Sequence, residues 1–342
     1  MVEKIRRVSR ADVAKMAGVS PTIVSYVVND NRYVDADKKR RVHEAMNELG
    51  YRPNVIARAL KGKHSHLILF IVDDLLSDHF GRINKQMNAW AIEHDYFICL
   101  CESRNDDDFI SQIFQSYFDG VIIGSSTFKV EYLQKVINTN IPVVLFEMKN
   151  YSSLEGTFAL INSGLYNGAI TCCQELLNKK REHIIYVDSF IEAGRKANYC
   201  DDFRYSGFVD ELKANNKYND RSFRLITDCE NEENLINKIN ALLDSGFAID
   251  GVFGRTDYVA VQAMYALINR NFKIPYDCSV IGVNNSKSTN YTNPKLSSLD
   301  IDREGIGFSA TNILSRMFSN EELLKEDLHI GLSTKLIIRE SS

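Results

Sequence analysis

From residue 66 onward, short runs of uninterrupted apolar residues alternate with longer stretches in which apolar residues return every three or four positions. Leu67–Val72, Tyr96–Cys101, Gly120–Ile123 and Val143–Phe146 are the short runs, the pattern of strands covered on both faces. Between them Phe80–His94, Phe109–Tyr117 and Val130–Thr139 read as helices. A second series repeats this order. Its strands are His183–Val187, a short one containing Leu225–Ile226, Gly251–Phe253 and Val280–Val283. Its helices are Ser163–Asn178, Phe203–Asn215, Glu232–Asp244 and Tyr258–Arg270. Two such series predict two doubly wound parallel sheets. A last helix, Glu304–Phe318, and a last strand, Lys335–Arg339, have no partners of their own and are expected to cross back. Ligands of such sheets sit beyond the carboxyl ends of the strands. The polar residues there are Asp73, Asp74, Ser125, Glu147, Asp188, Arg255, Asp257, Asn284 and Asn285.

The first sixty residues carry only helical patterning. Ser9 and Asp12 form a capping-box variant opening a helix at Arg10, with Val13, Ala14, Met16 and Ala17 as its apolar face and Gly18 as its end. Ser20 caps a second helix with Pro21 at its first position. Val24, Val27 and Val28 face the first helix, which leaves Thr22, Ser25, Tyr26 and Asn29 on the polar side. Asp35 caps a third helix lined by Val42, Ala45, Met46 and Leu49, with Lys38, Lys39, Arg40 and Arg41 in its first turns, solvated or facing phosphate. Two helices joined by a short glycine turn, the second with a polar N-terminal half, form a helix-turn-helix. Asn54 opens a further two-turn helix ending at Gly62, too short to hold by itself in water.

Charge sharpens this division. Residues 1–65 hold 14 Lys and Arg against 7 Asp and Glu, and the remaining 277 hold 27 against 38. A basic head on an acidic body points the head at a polyanion. The 342 residues, 44 % hydrophobic and 25 % charged, have the composition of a globular chain. No run approaches a membrane span or a secretory leader, so no membrane partner is expected and the expected location is the cytoplasm. Seven cysteines in such a chain are expected as reduced thiols.

Ala11-Asp12-Val13-Ala14-Lys15-Met16-Ala17-Gly18-Val19-Ser20-Pro21-Thr22-Ile23-Val24-Ser25-Tyr26-Val27-Val28-Asn29 resembles the N-terminal signature of the lactose-repressor (LacI/GalR) family of bacterial transcription regulators. Leu49-Gly50-Tyr51-Arg52-Pro53-Asn54 and Ala57-Arg58-Ala59-Leu60 resemble that family's third-helix end and hinge. The resemblance continues, more weakly, through the whole chain. It implies a second helix lying in the major groove, with Pro21, Thr22 and Tyr26 at base-reading places. The family most often has Arg at the place of Tyr26, and a phenol cannot hold guanine through two hydrogen bonds. Packing against the third helix is the other reading of Tyr26. Ser9, Ser20, Ser25 and Asn29 are candidates for phosphate contacts, which set register and not sequence. Leu60 matches a hinge leucine that wedges into the minor groove. Asn54 caps the hinge helix, and Arg58 and Lys63 are its phosphate partners. The fold implied is a helix-turn-helix head on an α/β periplasmic-binding-protein-like core of two doubly wound parallel-sheet subdomains. The expected divisions are 1–53 for the head, 54–65 for the hinge and linker, 66–160 with 299–328 for one subdomain, and 161–298 with 329–342 for the other.

The resemblance also bears on the cleft. Arg204 in Arg204-Tyr205-Ser206-Gly207-Phe208 matches an effector-contacting arginine. Thr256-Asp257 stands where the family usually has Asn-Asp, Asn284 where sugar-binding members usually have Asp, and Arg303 near an effector-lining position. Asp74, Phe80 and Glu147 complete the expected lining. Arg204, Arg255 and Arg303 favour an anionic effector, such as a sugar phosphate or a carboxylate, through bidentate hydrogen bonds. Equally, Arg255 and Arg303 can point to solvent or pair with acids such as Glu147 and Asp257.

Catalytic and metal signatures are not found. Gly305-Ile306-Gly307-Phe308-Ser309-Ala310 fits a dinucleotide fingerprint in letters but lies far from a first βα turn. Cys99 and Cys101 share a strand face, Cys172 and Cys173 are adjacent, and neither pair has zinc spacing; all four are expected as apolar filling. The sequence therefore predicts a non-enzymatic regulator without a cofactor or metal. It is expected to be a repressor acting as a homodimer on a palindromic operator in double-stranded DNA, under a small-molecule effector: a sugar, a sugar phosphate or a related metabolite. Two alternatives stand beside it: a core that answers to a protein corepressor, and a plain small-molecule-binding protein.

Overall fold

The computed structural model describes residues 8–52, 64–191, 199–319 and 321–342. The chain divides into two units, residues 1–65 and 66–342. In the first, α1 (Arg10–Ala17), α2 (Pro21–Asn29) and α3 (Ala36–Glu48) form a three-helix head. Ser9 accepts from the Asp12 amide while Asp12 reaches back to the Ser9 amide, a complete capping box. Gly18, at φ +63°, turns the chain in the left-handed region where a side chain would be strained. Asp30, at φ +46°, ends α2 the same way. Val13, Ala14, Ala17, Val24, Val27, Val42, Ala45 and Tyr51 make the core of the head. Met16, expected in that core, is 42 % exposed, because Ala14 and Ala17 take the inward positions instead.

In the second unit each lobe is a six-stranded sheet covered on both faces. The strands of the first sheet are β1 (Leu67–Val72), β2 (Phe97–Glu102), β3 (Gly120–Gly124), β4 (Val143–Phe146), β5 (Ala159–Asn162) and β11 (His329–Gly331), in the order β11-β5-β4-β3-β1-β2, all parallel. One face packs Ile68, Phe70 and Val72 against α4 (Asp78–Glu93) and α11 (Arg303–Phe318). The other packs Leu69 and Ile71 against α5 (Asp107–Gln115) and α6 (Val130–Ile137). β2 was expected to be buried on both sides. It lies at the sheet edge, with Phe97 72 % exposed and Cys99 and Cys101 only half-buried.

The second sheet holds β6 (Ile184–Val187), β7 (Phe223–Ile226), β8 (Gly251–Gly254), β9 (Ser279–Val283), β10 (Ser297–Ile301) and β12 (Thr334–Ile337), in the order β12-β10-β9-β8-β6-β7. Only β12 runs antiparallel. α7 (Leu165–Asn178) and α8 (Phe203–Ala214) cover one face, and α9 (Glu232–Asp244) and α10 (Asp257–Asn269) the other. The chain passes between lobes three times, at 163–164, 302 and 332–333. These points lie a few residues past the expected divisions after 160, 298 and 328, because β5, β10 and β11 each complete the sheet they leave. Gly305–Ala310 lies inside α11, where Gly307 lets that helix approach Gln86 and the Ile83 carbonyl of α4, so Gly307 serves packing.

Candidate DNA-binding face and ligand cleft

In the head, burying Val24 and Val27 turns the opposite side of α2 outward. Ser20, Pro21 and Thr22 are exposed there, and Ser25, Tyr26 and Asn29 are half-buried. Tyr26 does not pack into the head core; the Arg32 guanidinium lies over its ring, 5.2 Å from the centroid. A cavity of about 230 Å³ opens beside this pair, lined in part by Tyr33 and Lys39. Ser9 and Ser20 spend their hydroxyls as helix caps, and Asn29 donates to the Ser25 carbonyl (2.7 Å) and hydroxyl (3.1 Å). The basic start of α3 is largely matched by the head's own groups. Arg40 pairs with Asp37 and Glu44, Arg41 with Asp37 and the Ala17 carbonyl, and Lys39 with Asp30. Asn54, Arg58, Leu60 and Lys63 lie outside the described residues.

The core brings the strand-end polar residues together in two groups. The first begins at Asp73, past β1. It accepts from the hydroxyls of Ser125 (2.5 Å), Ser126 (2.8 Å) and Thr127 (2.7 Å) and from the amides of Ser126 and Thr127. Across the cleft, Arg255 donates to Asp188 (2.8 Å), Asp202 (2.8 Å) and the Ser126 hydroxyl (3.2 Å). Asp202 also takes Nε and Nη2 of Arg204. Burial works against the charge of Asp202, but the Arg204 and Arg255 guanidiniums outweigh it and hold its carboxyl well below the usual range. Burial likewise opposes the Arg255 charge, and Asp202 and Asp188 overcome it, so Arg255 is held firmly protonated. The buried Tyr186 hydroxyl lies in the field of these four groups and has no hydrogen-bond partner among the described residues.

The second group surrounds Asp257 at the start of α10. Its carboxylate accepts the Ser286 amide (2.6 Å) and the Ser298 hydroxyl. Gly282 makes this possible, since a Cβ there would overlap the Asp257 carboxylate. Burial pushes the Asp257 carboxyl up to about 6, against the pull of those hydrogen bonds. Arg303 donates to the Asn284 carbonyl and to Asp300 (2.9 Å). Asn284 itself sits at φ +100°. His79, at the start of α4, is pushed down to about 3 by desolvation and by the charges of Arg303, Arg204 and Arg82, and is therefore neutral.

The expected site residues are thus only partly assembled as a ligand surface. Arg204, Arg255 and Arg303 are buried and pair with acids of the chain itself. Their partners are Asp202, Asp188 and Asp300; Glu147 and Asp257, named from the sequence, do not pair with them. Glu147 accepts instead from Asn162 (2.8 Å). Phe80 is 6 % exposed in the core, edge-on to Phe70. Asp74 closes a turn onto the Leu76 amide, and Thr256 caps α10. Asn285 binds Arg339. The sequence reading missed Ser126, Lys149, Asp202 and His79. Asp202 is two residues from Arg204, and that spacing was the available signal. Ser126 and Lys149 carried none, since each lies one or two residues beyond a strand-end position already chosen.

Residues 11–54 match the family model for bacterial regulatory proteins of the lacI family, and residues 173–342 match a periplasmic binding protein-like domain. The chain is 26 % identical over 334 residues to the HTH-type transcriptional repressor PurR of Actinobacillus pleuropneumoniae serotype 3 (strain JL03), covering 96 % of this chain and 97 % of that one. It is 27 % identical over 338 residues to the ribose operon repressor of Halalkalibacterium halodurans, covering 97 % and 96 %. Among solved structures, the lac repressor dimer bound to operator and the anti-inducer ONPF shares the fold with a TM-score of 0.81 at 20 % identity, over 98 % of this chain and 99 % of that one. Head and core together define a DNA-binding transcriptional regulator with a periplasmic-binding-like core. The chain belongs to the lacI family of bacterial regulatory proteins.

Proposed function

We propose that the protein is a repressor that binds a palindromic operator as a homodimer, with α2 of each copy in the major groove, and that its core couples a small molecule in the interlobe cleft to DNA binding. The observation that carries this is the outward face of α2, where Ser20, Pro21 and Thr22 stand exposed over a valine-packed inner face. Thr22 and Tyr26 contact base edges. Arg32, held over the Tyr26 ring, supplies the cation that a phenol lacks for guanine. The relatives named repressors support the sign of the effect. With its arginines occupied, the cleft suits a neutral, hydroxyl-bearing ligand, in place of the anionic one that the three arginines suggest from the sequence.

Selection of bound duplexes from a random pool tests the operator reading, with an inverted repeat as the expected product. A single unrepeated half-site, or no enrichment, overturns it. Calorimetric titration with neutral sugars and with sugar phosphates tests the ligand. Binding only by the phosphates would refute the neutral assignment.

A further inference from the structure

The lobes of the core are tied by three chain crossings and, independently, by side chains that meet over the cleft. We infer that the core carries its own strap: a line of hydrogen-bonded side chains, Asp73–Ser126–Arg255–Asp202, holds the lobes together with no small molecule between them. Its regulatory meaning rests on the reading of the core as the switch for DNA binding; its existence does not.

Ser126, in the loop after β3, is fixed from three sides. Its amide and hydroxyl both donate to Asp73, at 2.9 and 2.8 Å, and its carbonyl accepts from the buried Lys149 ammonium at 3.0 Å. A hydroxyl that has donated its proton keeps lone pairs to offer. Arg255, from the loop after β8 in the other lobe, donates to it at 3.2 Å. The far end of Arg255 is anchored by Asp188 and Asp202, and Asp202 is clasped in turn by Arg204. None of these four charged side chains is more than 10 % exposed. Two guanidiniums and two carboxylates cancel in charge, and removing one would leave another buried and uncompensated. A planar guanidinium can hold two carboxylates and a hydroxyl at once; an ammonium on a flexible stem is poorly shaped for that. Beside the strap, the Phe203 amide of the second lobe donates to the Met148 carbonyl of the first at 3.1 Å, so that single backbone proton reports whether the lobes are together.

In hinged two-lobed binders the ligand is ordinarily what ties the lobes. Here the chain supplies a tie itself, through the Arg255–Ser126 bond. An entering molecule must take over the Arg255–Ser126 bond or part the lobes.

Hydrogen exchange on the full-length protein, unfolded and refolded to remove any bound small molecule, tests this. In wild type the Phe203 amide is expected to be protected. Ser126→Ala should speed its exchange about tenfold or more, the effect of losing one hydrogen bond to a charged donor. Ser126→Thr, which keeps the hydroxyl, should restore protection. Amides inside each lobe, such as Val121 and Phe253, should not change, which shows the fold intact. An unprotected Phe203 in the stripped wild type, or equal exchange in wild type and Ser126→Ala, overturns the strap. Operator affinity of the same variants separates the two claims: faster exchange with unaltered affinity upholds the strap and removes its coupling to DNA.

Discussion

Thr22 is exposed on the outer side of α2, and Arg32 reaches the same side through the Tyr26 ring. A side chain that reads a base edge costs discrimination when removed, whereas one that touches phosphate weakens all sequences alike. Thr22→Ala and Arg32→Ala should each reduce the preference at one operator position by about 1–3 kcal/mol, read by competition among duplexes differing at single base pairs. A uniform loss across all duplexes would assign Arg32 to the backbone. Asp257 makes a different kind of prediction. It binds its proton more tightly folded, at about 6, than in an unfolded chain, at roughly 3.9. Its contribution to stability is therefore greatest at low pH and falls as pH rises through 6. Asp257→Asn should gain on wild type by about 2 kcal/mol between pH 4 and pH 7.5, measured as the difference in urea unfolding free energies. Asp202, held below the usual carboxylate range, stays charged throughout that window and does not mask the change.

Helix pairs depend on a few small residues. α7 and α8 pack closely because Gly207 has no Cβ; one there would overlap the Tyr166 carbonyl. Backbone cannot yield as a side-chain end does, so Gly207→Ala should destabilise the core by about 1–3 kcal/mol in chemical denaturation, and a neutral result would show the pair to be loosely packed. In the head, Ser9→Ala removes one half of a capping box and should cost about 1 kcal/mol. That is a large share for three helices whose core is eight buried side chains, and the readout is helicity against temperature for the full chain.

The two units have separate cores. A chain beginning after residue 62 should keep a cooperative thermal transition and lose operator binding. Retained affinity in a mobility-shift assay would refute the assignment of DNA recognition to α2. In the intact protein, affinity should fall steeply and log-linearly with salt, because basic residues displace condensed cations. Among the described residues no helix is long and apolar enough to cross a membrane.

Periodicity alone located most of this molecule. Leu67–Val72, Val143–Phe146 and Glu232–Asp244 were readable to the residue, because a strand covered twice must be apolar throughout and a helix covered once must repeat near 3.6. The caps Ser9, Ser20 and Asp35 were equally legible, since capping is a contact between near neighbours in sequence. What failed was structure made by distant partners. β10 hid behind Ser297 and Ser298, polar residues fully buried only because Asp257, Ser341 and Arg339 come to meet them. β11 is three residues long and exists as an added edge to β5. The arginines of the cleft could be named from the chain, but not their state. Whether a guanidinium is open to a ligand or spent on a carboxylate depends on which strand ends converge, and Asp188, Asp202 and Arg255 meet only when three loops of the second lobe close over one point.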